Sequence, residues 1–150
     1  MSIEENIAIG RRLIQEGFSD GNLAVCDELV AIDGIEHQRG LRPGAAGTKE
    51  TIQTLHEWFS DFRLEVEDVS ASGDMVWLRA RATGVNSGSV FGRSPTGRPF
   101  EITVFDQVRI EDGRIVEHWG VPDQLGMLLQ LGLFGRPEPV GAGAAPGAAG

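Results

Sequence analysis

Two carboxylates, one amide and two histidines stand where this chain could use them for chemistry. Asp123 directly follows Trp119-Gly-Val-Pro122, between one apolar stretch and the next. A carboxylate there can cap a helix. It can also face a pocket wall built by Trp119, where partial desolvation would raise its pKa toward useful base strength. Asp106 shares the parity of Ile102, Val104 and Val108. That predicts a buried group paired with an arginine such as Arg79 or Arg81, because buried charges are usually paired, or else a second pocket carboxylate. Asn86 ends a run whose same-parity neighbours are Val76, Leu78, Ala80, Ala82 and Gly84. The small residues leave room, so its amide could hydrogen-bond a ligand carbonyl, or it forms a turn before Ser87-Gly88. His37 ends the strand-like segment Ile32–Glu36 and could reach a pocket rim. His118 has the opposite parity to Ile115, Glu117 and Trp119, so it is either solvated or a substrate-pocket residue. Trp58, Phe59, Phe62 and Trp119 read as core or pocket lining.

Other familiar chemistries lack their residues. His56-Glu57 has no histidine three positions beyond the glutamate, so the helical zinc motif fails. His37, His56 and His118 have no ligand spacing. The G-x-G near the C-terminus neither follows a strand nor opens a helix, and there is no phosphate-binding loop or serine elbow. Tyrosine is absent, which removes any mechanism needing a phenol. The expectation is a site with no metal and no organic cofactor. The single cysteine, Cys26, lies in the apolar helical stretch Leu23–Val30 and reads as a small core residue.

The elements that must position these groups follow from periodicity. Ser2-x-x-Glu5 is a capping box, and Ile3, Ile7, Leu13 and Ile14 share a helical face after it. Asp20-Gly21 ends that helix and Asn22 caps a second, Leu23 to Val30. Arg39–Gly47 reads as a loop, and Thr48 opens a third helix with Ile52, Leu55 and Phe59 facing inward. The period then changes to two: Phe62, Leu64 and Val66 alternate with Arg63, Glu65 and Glu67. Met75–Gly84 is a strand. A looser Gly/Ser segment leads to a long strand with Phe100, Ile102, Val104, Val108 and Ile110 on one face. Asp112-Gly113 signals a hairpin into Ile115–Val121, Pro122 ends that strand, and Asp123–Leu131 is a short helix.

Helices followed by hairpin-linked strands indicate an α+β fold. One domain is expected over residues 1–134, with a flexible Gly/Ala/Pro-rich tail at 135–150. A chain of 150 residues can bury a sufficient core without a disulfide. The net charge of -9 repels phosphate backbones and anionic lipids, so neither nucleic acid nor a membrane is an expected partner. The acidic N-terminus lacks a basic leader region, and with one thiol this predicts a cytoplasmic protein. Val104 and Phe105 are apolar on opposite parities of one strand, which predicts a homodimer covering the second face.

Gly84-Val-Asn-Ser-Gly88, Pro95-Thr-Gly-Arg98, Asp112-Gly-Arg-Ile-Val-Glu-His-Trp119, Asp123 and Leu129-Gln-Leu-Gly132 together resemble the SnoaL-like polyketide cyclases of the nuclear transport factor 2-like superfamily. Gly21-Asn-Leu, Asp27-Glu-Leu-Val and His37 extend the likeness to about Ile3–Leu133. The resemblance implies a cone-shaped, curved mixed sheet packed against three N-terminal helices, with a short C-terminal helix and the pocket inside the cone. It implies cofactor-free ring closure by intramolecular aldol condensation of a polyketide-like carbonyl substrate. The family's acid/base aspartate falls on Asp123, and its assisting histidine falls on Asn86. An amide there can donate to an enolate oxygen but cannot shuttle a proton. A polyketide hydroxylase-like role, an isomerase, an epoxide-opening enzyme and a non-catalytic small-ligand binder stay open as alternatives.

Overall fold

The capping box forms as its spacing predicts. Ser2 Oγ accepts from Glu5 N at 3.1 Å, and Glu5 Oε2 accepts from Ser2 N at 2.7 Å. These bonds start α1, Ile3–Arg12, in a computed structural model of the chain that describes residues 1–134. The tail expected to be flexible, 135–150, lies outside the described residues. Beyond α1 the backbone continues through wider π-type turns, Leu13–Ser19, until Gly21 reverses it at φ +73°. Ser19 Oγ, buried at that end, donates to Leu64 O at 2.8 Å. The first helix is thereby fixed to the sheet.

α2 covers Ala24–Leu29 and runs directly into β1, Val30–Glu36. α3 spans Gly44–Trp58, four residues earlier than Thr48, where a helix start was expected. Gly44 and Gly47 read as loop glycines in the sequence. Here they are needed for close backbone approach, since a Cβ on Gly44 would collide with Ile32 O and one on Gly47 with Arg42 O.

Four antiparallel-linked strands follow: β2 Phe59–Ser72, β3 Met75–Asn86, β4 Pro99–Glu111 and β5 Arg114–Pro122. The short α4, Gln124–Leu131, closes the described chain. The sheet order is β1-β5-β4-β3-β2, with β1 parallel to β5 and every other pair antiparallel. This is the expected α+β architecture, a mixed sheet with three N-terminal helices and one C-terminal helix. Register breaks in β1, β2 and β5 bend it, as extra residues on one strand of a pair do. α1 packs on β2 and β3, and α3 on β1 and β2, so the helices cover the concave face. That face carries Leu64, Val76, Leu78, Ala80, Phe100, Ile102 and Val108, all buried, as the alternation predicts. No helix among the described residues is long and apolar enough to cross a membrane.

Candidate functional site

Between the concave face and the helices lies a cavity of about 480 Å³. Its walls are largely apolar: Leu13, Ile14, Leu55, Trp58, Phe62 and Ile102 contribute from four elements. Into this lining project three titratable side chains from three different strands, Glu36 of β1, Asp106 of β4 and His118 of β5.

They form one hydrogen-bonded group. His118 Nε2 lies 2.9 Å from Asp106 Oδ1, and His118 Nδ1 lies 2.8 and 2.9 Å from the two oxygens of Glu36. The side chains are 24%, 14% and 11% exposed for His118, Asp106 and Glu36. Burial alone would lower the imidazole pKa. The hydrogen bonds to Asp106 and Glu36 outweigh it and raise the value to about 9. At neutral pH His118 is therefore an imidazolium that donates from both nitrogens. It has no lone pair left with which to act as a base.

The register of β5 explains why the alternation misplaced His118. Arg109 pairs with Glu117 but Ile110 pairs with Ile115, so Val116 is an extra residue opposite no partner. One inserted residue reverses which face every later side chain takes. Ile115 points inward, and so, beyond the bulge, does His118. Of the two positions open to His118 from parity, the solvated one is not taken: the side chain joins the cavity lining. The register in β1 also shifts, pairing Glu36 with His118 and bringing that carboxylate into reach.

The two carboxylates differ in what they have left to offer. Glu36 meets His118 with both oxygens, and its Oε1 also accepts from Gln38 N at 2.8 Å. Asp106 uses only Oδ1, and its Oδ2 has no hydrogen-bond partner among the described residues. Next to it lies Gly120, the β5 partner of Asp106. A Cβ there would collide with Gln38 Oε1 and come within 2.7 Å of Asp106 Oδ1 and 2.9 Å of His118 Cε1. Gln38, Asp106 and His118 thus converge on one point that only glycine leaves open. The carboxylates sit on opposite ring nitrogens, so the three groups do not aim at a common ligand position. No cluster among the described residues is arranged to hold a metal ion.

Comparison with known proteins agrees with this architecture. The family model described as SnoaL-like polyketide cyclase matches residues 8–131. The chain belongs to the SnoaL-like polyketide cyclase family. It is an enzyme of the cyclase class. Among its relatives, the aklanonic acid methyl ester cyclase DnrD of Streptomyces peucetius is 29% identical over 93% of this chain and 97% of its own. The corresponding cyclase DauD of Streptomyces sp. strain C5 is 32% identical over 81% and 74%. The crystal structure of IdmH from Streptomyces antibioticus, a candidate polyketide cyclase, superposes with a TM-score of 0.72 at 36% identity, covering 88% of this chain and 99% of that one.

Within the SnoaL-like fold the two residues the resemblance singled out lie apart from the acid–base group. Asp123 is the N-cap of α4: it is exposed, and its Oδ1 accepts from Gly126 N at 2.9 Å. It lines a shallow outer depression with Phe105 and Val121 and takes no part in the cavity wall. The expectation of a desolvated carboxylate on a pocket wall is corrected to the capping alternative. Asn86 is buried but fully employed. Its Nδ2 donates to Gly88 O at 2.9 Å and Trp58 O at 3.3 Å, and its Oδ1 accepts from Thr96 N at 2.8 Å. It clamps the loop after β3 and has no donor to spare for a ligand.

The remaining expectations divide. Trp58 and Phe62 line the cavity. Trp119 stands on the outer face beyond the bulge, where it stacks on His37 with ring centroids 4.6 Å apart and planes within 5°. His37 Nε2 lies 2.7 Å from Glu117 Oε1. His37, followed by Arg109, holds the Glu117 carboxyl below its usual range. Neither His37 nor Trp119 forms the cavity wall. Asp106 pairs with His118; Arg79 pairs with Glu67, and Arg81 with Glu65 and Glu101. Cys26 is fully buried in the core, and burial pushes its thiol pKa up, as suits an inert packing residue. Sequence reasoning missed Glu36, Gln38 and Gly120. The only signal for Glu36 was an acid ending a short apolar strand.

Proposed function

We propose that the cavity closes a carbocyclic ring in a polycarbonyl ester by intramolecular aldol condensation, with Asp106 as general base. The observation that carries this is the division of labour around His118. The histidine is protonated at neutral pH, Glu36 is fully engaged, and Asp106, in the cavity lining, keeps one oxygen with no hydrogen-bond partner among the described residues. A proton on carbon between two carbonyls is acidic enough for such a carboxylate to remove. The carbanion is delocalised onto substrate oxygen, where the fixed positive charge of His118 favours it, and where Gln38 can donate once its amide turns to present Nε2 in place of Oε1. The enolate carbon then attacks the acceptor carbonyl. Asp106 returns its proton to the new alkoxide, so the substrate is isomerised and the enzyme is restored. The rigid apolar wall holds the chain folded with the two carbons in reach, converting a loose encounter into a positioned one.

The names of DnrD and DauD support a methyl ester of a polyketide-derived acid as the substrate class. Cofactor independence is part of the proposal, and the test addresses it. Purified protein, dialysed against chelator, should convert a methyl-ester triketone to a cyclic product of unchanged mass in buffer alone. Binding without conversion would support a non-catalytic ligand carrier instead. Conversion only after adding one metal would contradict the proposed chemistry.

A homodimer is also proposed. Phe105, Val121 and Leu125 are 58%, 70% and 55% exposed on the convex side, around the depression beside Asp123. A second copy covering this face would remove three large apolar side chains from water.

A further inference from the structure

The loop between β3 and β4 holds an aromatic residue in a conformation that aromatic residues avoid. Phe91 has φ +48°, followed by Gly92 at +75°. Arg93 N donates to Val90 O at 3.0 Å, closing a two-residue turn of the type that ordinarily takes Asn-Gly. A bulky side chain in this left-handed region is strained. Phe91 is also 56% exposed, although it lines the cavity. Neither torsional comfort nor burial explains its presence.

The surroundings hold the strained turn in place. Val90 beside it is fully buried, and Ser87 N and Gly88 N both donate to Trp58 O at the end of α3. Asn86 adds its side-chain bonds to Gly88 and Thr96, and Thr96 Oγ1 donates to Leu131 O at 2.7 Å. The loop is anchored to α3 and α4, and the phenyl ring is displayed from a fixed base. It meets Trp58 edge to face, centroids 4.9 Å apart at 66°. From Trp58 the aromatic contacts continue inward through Phe59 to Phe100, both of which line the cavity. Asn86 lies eight residues along β3 from Leu78, the strand partner of Asp106, so this aromatic group stands at the far end from the acid–base residues.

We propose that Phe91 and Trp58 form a binding subsite at the cavity rim that grips a flat, unsaturated part of the ligand, remote from the reacting carbons. The inference rests on the reading of the cavity as the substrate site. It assigns the strain at Phe91 to recognition: an exposed ring face on a rigid mount selects planar over puckered ligands, because aromatic stacking rewards only the flat partner.

The test compares 2-naphthoate with its decahydro counterpart, which has the same carbon skeleton and carboxylate but no aromatic face. Affinities are measured by calorimetry on the full-length protein, with Phe91→Gly and Phe91→Ala as variants and melting temperatures recorded. Expected is about a two- to tenfold weakening of 2-naphthoate in both variants, with the decahydro compound unchanged. Phe91→Gly should melt no lower than wild type, since glycine accepts φ +48° without strain. If both variants bind 2-naphthoate as wild type does, or lose both compounds equally, the subsite is overturned while the cavity remains. A large drop in melting temperature for Phe91→Gly with unchanged affinities would overturn it too, showing a packing residue. Failure of the wild type to bind either compound would overturn the cavity as a ligand site and the subsite with it.

Discussion

His118 donates to carboxylates on two other strands, and this ties its protonation to the stability of the sheet. Its folded pKa of about 9 lies above the ordinary 6.5. Protonation therefore stabilises the folded state. The contribution is complete below about pH 6.5 and disappears as the pH rises through about 9. A shift of that size corresponds to on the order of 3 kcal/mol. Wild type should accordingly lose stability between pH 6.5 and 9 in chemical denaturation, and His118→Asn should lose that part of the slope. A proton NMR titration that placed His118 near 6.5 would remove the imidazolium from the site. Gln38 acts at the same scale. Gln38→Leu keeps the volume and removes the amide, so turnover should fall about tenfold or more, with little change in melting temperature.

At the level of elements, β5 was the hardest segment to read and the most consequential. Its apolar alternation was legible, and so were the Asp112-Gly113 hairpin and the capping role open to Asp123. The bulge at Val116 was not, because an inserted residue leaves no mark on composition. It exchanges the faces of His118 and Trp119, so the parity rule placed the wrong one inward. Gly120 follows from the same reversal: an unremarkable glycine in the sequence becomes the opening at the centre of the site. Gly120→Ala should cut turnover by roughly the two orders that misplaced catalytic groups cost, because its Cβ would displace Asp106 and Gln38. Asn86 shows the converse case. Its parity with the small and apolar residues of β3 was legible and was read as room for a ligand or a turn, yet its partners, Trp58, Gly88 and Thr96, come from segments that only the fold brings together. Asn86→Ala should cost about 2–3 kcal/mol, since it leaves buried partners unpaired. For a domain of this size that is a fall of roughly 5–10 °C in melting temperature.

On the scale of the whole molecule, helical and strand periodicities were enough to give an α+β fold. The concave sheet face and the helices over it follow from which parity is apolar. The position of the acid–base group does not, because it depends on three strands meeting at β1-β5-β4, two of them through irregular register. The convex face adds its own expectation. Phe105→Asp should shift a dimer to a monomer mass in light scattering at micromolar concentration, and a wild type that is already monomeric would contradict the proposed assembly.

The most direct measurement of the central claim compares two aspartates in one assay. Turnover of a cyclisable β-keto ester is followed for Asp106→Asn and Asp123→Asn, with melting curves for each. With Asp106 as the base, Asp106→Asn should lose on the order of 10²–10⁴ in rate, the usual range for general acid–base catalysis, while remaining folded. Asp123→Asn keeps a capping side chain and should turn over at the wild-type rate, with stability changed by less than about 1 kcal/mol. If Asp123→Asn loses the activity and Asp106→Asn retains it, the base is not in the cavity group and the proposed mechanism is wrong.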